Sequence, residues 1–257
     1  MRTAFAHTTN VVKFLGGLSA LQHRGAGEAS WLLVTGLPGL GKSDTVQWWA
    51  VQQGAIYLRA KATWTPAEAL ADLLLELRVQ PTSRQGSKLW AQAYGALTAG
   101  GAPKAIVIDE VEHCLSNVRI LEAFRDFSDL TEITVVLVGM ERVKALIQRH
   151  EQISSRITQV VEFAPASAED VQTLAEALTD YALATDVVAE ILRASDGRNR
   201  IILDALAAIE RYCGRNRPAE QADNGRPLVT LAHIGDLKLC HDWRTRTRRP
   251  AAGKVAQ

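Results

Sequence analysis

Long apolar runs are missing from this chain of 257 residues. No stretch approaches the ~20 consecutive apolar residues that a membrane-spanning helix needs. The N-terminal piece VVKFLGGL is interrupted by Lys13 before a signal-peptide core develops. A membrane role is not expected, and the cytoplasm is the expected location. Cysteine is scarce as well: Cys114, Cys213 and Cys240 are odd in number and widely spaced, with no CxxC pair. That argues against a disulfide framework and against a zinc site, and predicts reduced thiols. An excess of one charge is also lacking, since 29 Lys and Arg face 28 Asp and Glu. With 18 Gly and 8 Pro the chain is far too poor in both for a collagen, and at 47% hydrophobic it is too apolar for a disordered protein. What remains is a soluble globular protein of one large or two modest domains, with enough apolar mass to bury a core.

The near-neutral total conceals an uneven distribution. Residues 1–160 carry a net +2, residues 161–242 a net −6 and residues 243–257 a net +5. The terminal run Trp243 to Pro250 alternates cation with hydroxyl. It suits contact with DNA, docking on a protein partner, or solubility alone.

Five short apolar segments recur along the first two thirds: Ser30 to Thr35, Ala55 to Arg59, Lys104 to Asp109, Ile133 to Val138 and Gln159 to Phe163. Stretches with helical spacing separate them. Near-continuous apolar strands alternating with helices predict a parallel sheet covered on both faces. After Pro165 the strand signal stops. Ser167, followed by Glu169 and Asp170, opens a helix, and two further helical segments start near Asp186 and Arg198. The expected organisation is an α/β core over 1–165, a small helical lid over 166–215, and a linker, short apolar segment and basic tail over 216–257.

The strongest motif is Gly36-Leu37-Pro38-Gly39-Leu40-Gly41-Lys42-Ser43, which fits GxxxxGK[ST] without a mismatch and lies between an apolar strand and a helical segment starting at Asp44. Such a loop curls its backbone N–H groups around phosphates, sends its Lys to the β and γ phosphates and offers its Ser hydroxyl to Mg²⁺. Residues Gly36 to Asp44 are the expected ATP-binding segment. A second carboxylate is needed for the metal, and Ala105-Ile106-Val107-Ile108-Asp109-Glu110 supplies it at the end of a buried strand. Asp109 is expected to orient Mg²⁺ with Ser43, and Glu110 to polarise the attacking water, so hydrolysis is favoured over group transfer. Glu112 and His113 read as surface or supporting groups.

These motifs, with the strand ending Val138-Gly139-Met140-Glu141, the box Ser154-Ser155-Arg156-Ile157 and the helical segment carrying Gly197-Arg198-Asn199-Arg200, resemble an AAA+ ATPase of the initiator clade. Within that clade the chain is most similar to the transposition ATPases of the phage Mu B and Tn7 C-protein type, over about residues 8–212. The resemblance implies a P-loop NTPase fold with a parallel five-stranded sheet flanked by helices. It implies an arginine finger at Arg156, with Arg149 as the local competitor, and a nucleotide-sensing lid arginine at Arg200, with Arg198 one step away. Where the fourth strand of such ATPases ends in a polar residue contacting the γ-phosphate, this sequence offers Gly139, Met140 and Glu141. The additional N-terminal DNA-binding domain of the Mu protein has no counterpart before Trp31.

The resemblance also implies an ATP-dependent homo-oligomer or filament on double-stranded DNA, bound without sequence preference, and a transposase as partner. Arg59, Lys61, Thr63 and Trp64, with Arg84 and Lys88 further on, have the chemistry for phosphate contacts. Trp48 and Trp49 fit packing better than base stacking, because adjacent helix positions do not share a face. The alternatives are a helicase loader of the DnaC and IstB type, a nucleotide-switched signalling ATPase, and a scaffold with negligible turnover.

Overall fold

The computed structural model describes residues 1–23, 25, 30–101, 103–235 and 237–239. Cys240 and the basic run from Trp243 therefore lie outside the described residues. In chain order the helices are α1 (Thr9–Gln22), α2 (Lys42–Gln53), α3 (Pro66–Glu76), α4 (Gly86–Thr98), α5 (Arg119–Thr131), α6 (Val143–Ile147), α7 (Glu151–Ser154), α8 (Ala168–Leu178), α9 (Thr185–Ser195), α10 (Asn199–Cys213) and α11 (Leu231–Ile234). The strands are β1 (Trp31–Thr35), β2 (Ile56–Arg59), β3 (Ala105–Asp109), β4 (Thr134–Val138), β5 (Ile157–Glu162), β6 (Ala182–Leu183) and β7 (Leu228–Val229).

Two compact units divide the chain. The first comprises Lys13–Leu37 and Lys42–Phe163. It holds a five-stranded sheet in the order β2-β3-β4-β1-β5, every pair parallel. Because parallel neighbours require crossovers, helices cover the sheet, and the inner strands read as unbroken apolar runs. β1 and β3 are buried at every position and β4 at all but its first, whereas edge strand β5 alternates, burying only Val161 well. That alternation explains why β5 starts at Ile157, two residues before the apolar run that announces it in the sequence.

The core of this unit is built on Trp31, Phe124 and Phe127, all fully buried, with Trp90 stacked on Phe127 at 5.2 Å between ring centroids. A small polar knot fixes α5 to the start of β1: the Trp31 indole N–H donates to Ser128 Oγ at 3.0 Å, and Ser128 Oγ donates to Ile133 O at 3.0 Å. Helix α3 starts on a capping box, with Pro66 at its first turn and Thr65 and Glu68 capping each other's backbone N–H.

The second unit comprises Met1–Val12, Pro38–Gly41 and the chain from Ala164 onward. Apolar faces of α8, α9 and α10 meet around Val171, Val187, Ile191, Ile202 and Leu206. Sequence alone placed residues 1–12 with the α/β core and saw no strand after Pro165. The structure instead groups the first twelve residues with the helices, and adds a short parallel pair, Ala182 to Leu228 and Leu183 to Val229. Two-residue strands carry no periodicity, which is why they were not anticipated.

Asp170 ties the N-terminal segment to α8. Its Oδ1 accepts from Thr9 N–H at 2.7 Å and its Oδ2 from Ser167 N–H at 3.0 Å, completing a capping box with Ser167. Burial pushes this carboxyl upward, but the hydrogen bonds outweigh it and hold the pKa below its usual value. A depressed carboxylate pKa stabilises the fold above the unfolded-state pKa, and that contribution is lost as pH falls through the folded-state value. Asp170→Asn is expected to cost ~1–3 kcal/mol at pH 7. In urea titrations the gap between the variant and the parent should close below about pH 4.

Candidate nucleotide site

The loop between β1 and α2 is shaped by glycines that take backbone angles closed to other residues. Gly39 and Gly41 have φ of 83° and 84°. A Cβ on Gly41 would also meet the Asn199 side-chain nitrogen at 2.9 Å. Both reasons require glycine at that position.

Lys42, at the start of α2, is buried. Its ammonium donates to Gly36 O at 2.7 Å and Leu37 O at 2.8 Å. Burial lowers its pKa, against the attraction of Asp109 and Glu112. Ser43 and Asp44, next on α2, are exposed. Asp109, the last residue of β3, is 4% exposed. Its Oδ1 accepts from Glu110 N–H at 2.8 Å, and its Oδ2 accepts from Tyr57 Oη at 2.5 Å.

Tyr57 is a member of the site that sequence reasoning missed. It lies on edge strand β2, two residues before Arg59, which stands in register with Asp109. Its hydroxyl bonds Asp109 and also interacts with the Ser43 side chain. Burial first, and the Asp109 carboxylate second, raise its pKa above the ordinary tyrosine value. It therefore stays a neutral donor that fixes the orientation of Asp109. A hydroxyl and one carboxylate, bridged by a phenol, suit a hard divalent ion such as Mg²⁺, which keeps several waters and takes few protein oxygens. The residues fit ATP with Mg²⁺: the loop and Lys42 for phosphate, Ser43 and Asp109 for the metal. Tyr57→Phe is expected to weaken Mg²⁺-dependent ATP binding about tenfold, in line with loss of a supporting bond to a metal ligand. Titration of nucleotide at fixed and varied Mg²⁺ measures it.

Glu110 sits in the left-handed region, φ 55° and ψ 40°, at the head of the 3-10 turn Val111–Cys114. Its carboxylate pairs with Arg59 and lies 3.7 Å from His113 Nε2. The bond from Arg59 holds the Glu110 carboxyl below the usual carboxylate range. Glu112, which reads from the sequence as a surface or supporting group, is half-buried, and its Oε2 is buried without a hydrogen-bond partner among the described residues. Cys114, next in the turn, is buried, and burial pushes its thiol up to about 12.

The remaining candidates fall in several places. Arg156 stands at the opening of β5, its backbone carbonyl accepting from Trp31 N–H at 3.0 Å. Its guanidinium forms a two-pronged pair with Asp129, Nε to Oδ1 at 2.8 Å and Nη2 to Oδ2 at 2.9 Å. Arg149 is exposed. In the helical unit, Arg200 N–H donates to Gly39 O at 3.1 Å, while the Arg200 side chain is exposed and Arg198 is half-buried. Asn199, between them, was not singled out from sequence; its Nδ2 lies against Gly41 and its Oδ1 is buried without a partner among the described residues.

Of the residues assigned to DNA, Thr63, Arg84 and Lys88 are exposed. Arg59 is paired with Glu110, and Lys61 with Asp72 at 2.6 Å. Trp64 is a correction: it is only 6% exposed, and its indole donates to Asp72 at 2.8 Å, so it belongs to the core. Trp49 packs edge-on against Phe14 at 5.6 Å. Among the described residues, no helix is long and apolar enough to cross a membrane.

Comparison with known proteins agrees with this geometry. Residues 24–147 match the family model described as an AAA domain. No curated protein sequence matches the chain significantly. Among solved structures, the Orc1 protein of Aeropyrum pernix in complex with DNA is similar with a TM-score of 0.59 at 19% identity, covering 91% of this chain and 65% of that one. Cdc6p from Pyrobaculum aerophilum is similar with a TM-score of 0.59 at 15% identity, covering 87% and 65%. A proline-to-glycine variant of RuvB from Thermotoga maritima follows with a TM-score of 0.56 at 17% identity, covering 90% and 69%. The chain thus spans about two thirds of the length of these structures. The P-loop, the acid-tipped β3 and the order β2-β3-β4-β1-β5 form a P-loop α/β fold with a five-stranded parallel sheet, which is similar to an AAA domain over residues 24–147 and similar in fold to Orc1, Cdc6 and RuvB.

Proposed function

We propose that the chain is an ATP-hydrolysing, DNA-binding regulator of DNA transposition, which assembles as a homo-oligomer or filament on duplex DNA, recruits or activates a transposase, and comes apart on hydrolysis. The observation that carries the catalytic part is Lys42 buried at the P-loop within electrostatic reach of Asp109 and Glu112. When bound, Mg²⁺ would screen phosphate charge between Ser43 and Asp109. Backbone N–H groups from Gly36 to Ser43 bind phosphate, Tyr57 orients Asp109, and Glu110 polarises the attacking water. Arg200 is the lid residue proposed to respond to nucleotide. Arg156 supports assembly, because it opens β5 beside the start of β1, at the end of the strands away from the P-loop, and so serves a second copy rather than its own site.

The DNA part rests on the exposed Thr63, Arg84 and Lys88, with Arg59 and Lys61 available to phosphate only in exchange for Glu110 and Asp72. It is in keeping with the Orc1 structure, which was solved in complex with DNA. Phosphate contacts predict affinity that is indifferent to sequence, requires ATP and falls linearly in log K against log [salt]. Replacing Arg84 and Lys88 together by Ala should flatten that slope by about 1.8, from ~0.9 per phosphate contact. Fluorescence anisotropy on unrelated duplexes tests this; tight ATP-independent binding to one short sequence would rule it out. Affinity capture from the host resolves the partner: a transposase supports the reading, and a replicative helicase replaces it with helicase loading.

A further inference from the structure

Two buried side-chain oxygens of the candidate site, Glu112 Oε2 and Asn199 Oδ1, lack a hydrogen-bond donor among the described residues. Glu112 Oε2 stands 2.9 Å from where a Cβ on Gly139 would be, and Lys42 feels its charge. The Asn199 oxygen is neutral, an acceptor that only an N–H or O–H group satisfies. Burying such an oxygen without a donor is costly.

Asn199 opens α10, and α10 belongs to the same compact unit as the loop residues Pro38–Gly41. The first turn of the helix lies along that loop. Arg200 N–H donates to Gly39 O at 3.1 Å, and a Cβ on Gly39 would stand 3.8 Å from the Cβ atoms of both Arg198 and Arg200. Asn199 Nδ2, Cγ and Cβ would lie 2.9, 3.7 and 3.8 Å from a Cβ on Gly41. The amide is thus seated on the residue just before Lys42, within side-chain reach of whatever the loop holds. Helix and loop already satisfy each other's backbone there, which leaves Oδ1 as the group without a partner.

The chemistry of the ligand decides what can meet it. A triphosphate offers oxygens that accept and repel another acceptor. ATP carries its own donors only on the nucleoside, as the ribose hydroxyls and the 6-amino group of adenine. We infer that Asn199 Oδ1 accepts a hydrogen bond from the nucleoside of the bound nucleotide, which makes Asn199 a specificity-determining residue of the site. The inference rests on the ATP-binding reading of the same loop.

The test is equilibrium dialysis of the full chain with radiolabelled ATP, competed by 2′-deoxy-ATP, 3′-deoxy-ATP, purine riboside triphosphate, which lacks the 6-amino group, and inorganic tripolyphosphate. The parent should bind the analogue that lacks the responsible donor about tenfold more weakly than ATP, because the buried oxygen is then left unpaired. Which analogue suffers tells ribose from base. In Asn199→Ala that preference should shrink to twofold or less, while tripolyphosphate affinity stays within twofold of parent. Asn199→Asp, which keeps an acceptor, should retain the preference. A parent that binds ATP and all three nucleoside analogues within threefold overturns the inference without any variant, and is the result expected if a water fills the place. A preference that persists undiminished in Asn199→Ala overturns it as well. So does tripolyphosphate affinity falling in step with that for ATP, the mark of an amide that merely packs on Gly41 or turns its nitrogen to phosphate. If the parent binds neither ATP nor tripolyphosphate, the reading of the loop falls and this assignment with it; if it binds ATP without discrimination, only this assignment falls.

Discussion

Lys42→Ala loses ATP binding. The ammonium is buried at the base of the loop and held toward it by the carbonyls of Gly36 and Leu37. It is the cation that the loop itself contributes. Truncating one partner of a buried charge pair costs ~2–5 kcal/mol, much of it from leaving the other charge uncompensated. Affinity should therefore fall at least ~30-fold. The fold should survive, because the aliphatic stem is replaced by a good helix former at the first turn of α2. Calorimetric titration of ATP, with circular dichroism as the control for folding, measures both. Binding of ATP to Lys42→Ala within threefold of parent would remove the P-loop as the phosphate site. Assembly on DNA, if it follows from ATP binding, should disappear in the same variant.

Arg156→Ala should abolish turnover while leaving ATP binding intact, and mixing it with Lys42→Ala protein should restore part of the turnover. β1 runs from Trp31, whose N–H meets the Arg156 carbonyl, to Thr35, just before the loop. Five strand residues span ~16 Å at 3.3 Å each, more than an arginine side chain can reach. Any contact of Arg156 with a γ-phosphate therefore belongs to another copy. A guanidinium suits that task, being permanently charged and forked. In a mixture of two inactive proteins, some interfaces join an intact P-loop to an intact Arg156. Asp129→Asn separates catalysis from simple ion pairing: it breaks the same pair, worth up to ~1 kcal/mol, but leaves the guanidinium in place, so turnover should persist. Equal loss in Arg156→Ala and Asp129→Asn, or no rescue in verified mixed assemblies, would reduce Arg156 to a structural partner of Asp129.

The parts of this molecule that were readable in advance share a physical property: their signal is local in the chain. β1, β3 and β4 are buried on both faces, so each is an apolar run that needs no knowledge of its neighbours. The P-loop declares itself because glycine, lysine and serine must follow one another at fixed spacing. Ser167 with Asp170 announces α8 for the same reason, the cap and its partner being three residues apart. What stayed hidden depends on contacts between distant residues. Tyr57 is an unremarked aromatic on an edge strand until the parallel register of β2 and β3 brings its hydroxyl to Asp109, 52 residues away. Glu112 reads as a surface or supporting acid until the end of β4 brings Gly139 against its carboxylate. Arg59 looks like a free cation for DNA until the same register sets it beside Glu110. Charge and hydroxyl content mark residues able to meet phosphate, but not which of them are already occupied within the fold.

The close approach of Glu112 to Gly139 also bears on how relatives of this chain can diverge. Two positions 27 residues apart share one small volume, so neither can change freely while the other is kept. A lineage that gains a side chain at position 139 has to move the methyl groups of Val143 and Val111 as well as the acid at 112, whereas a lineage that keeps all three is confined to glycine. Aligned relatives should therefore change at 139 only together with 111, 112 or 143, and a variant with a side chain at 139 alone should be the least stable of the series.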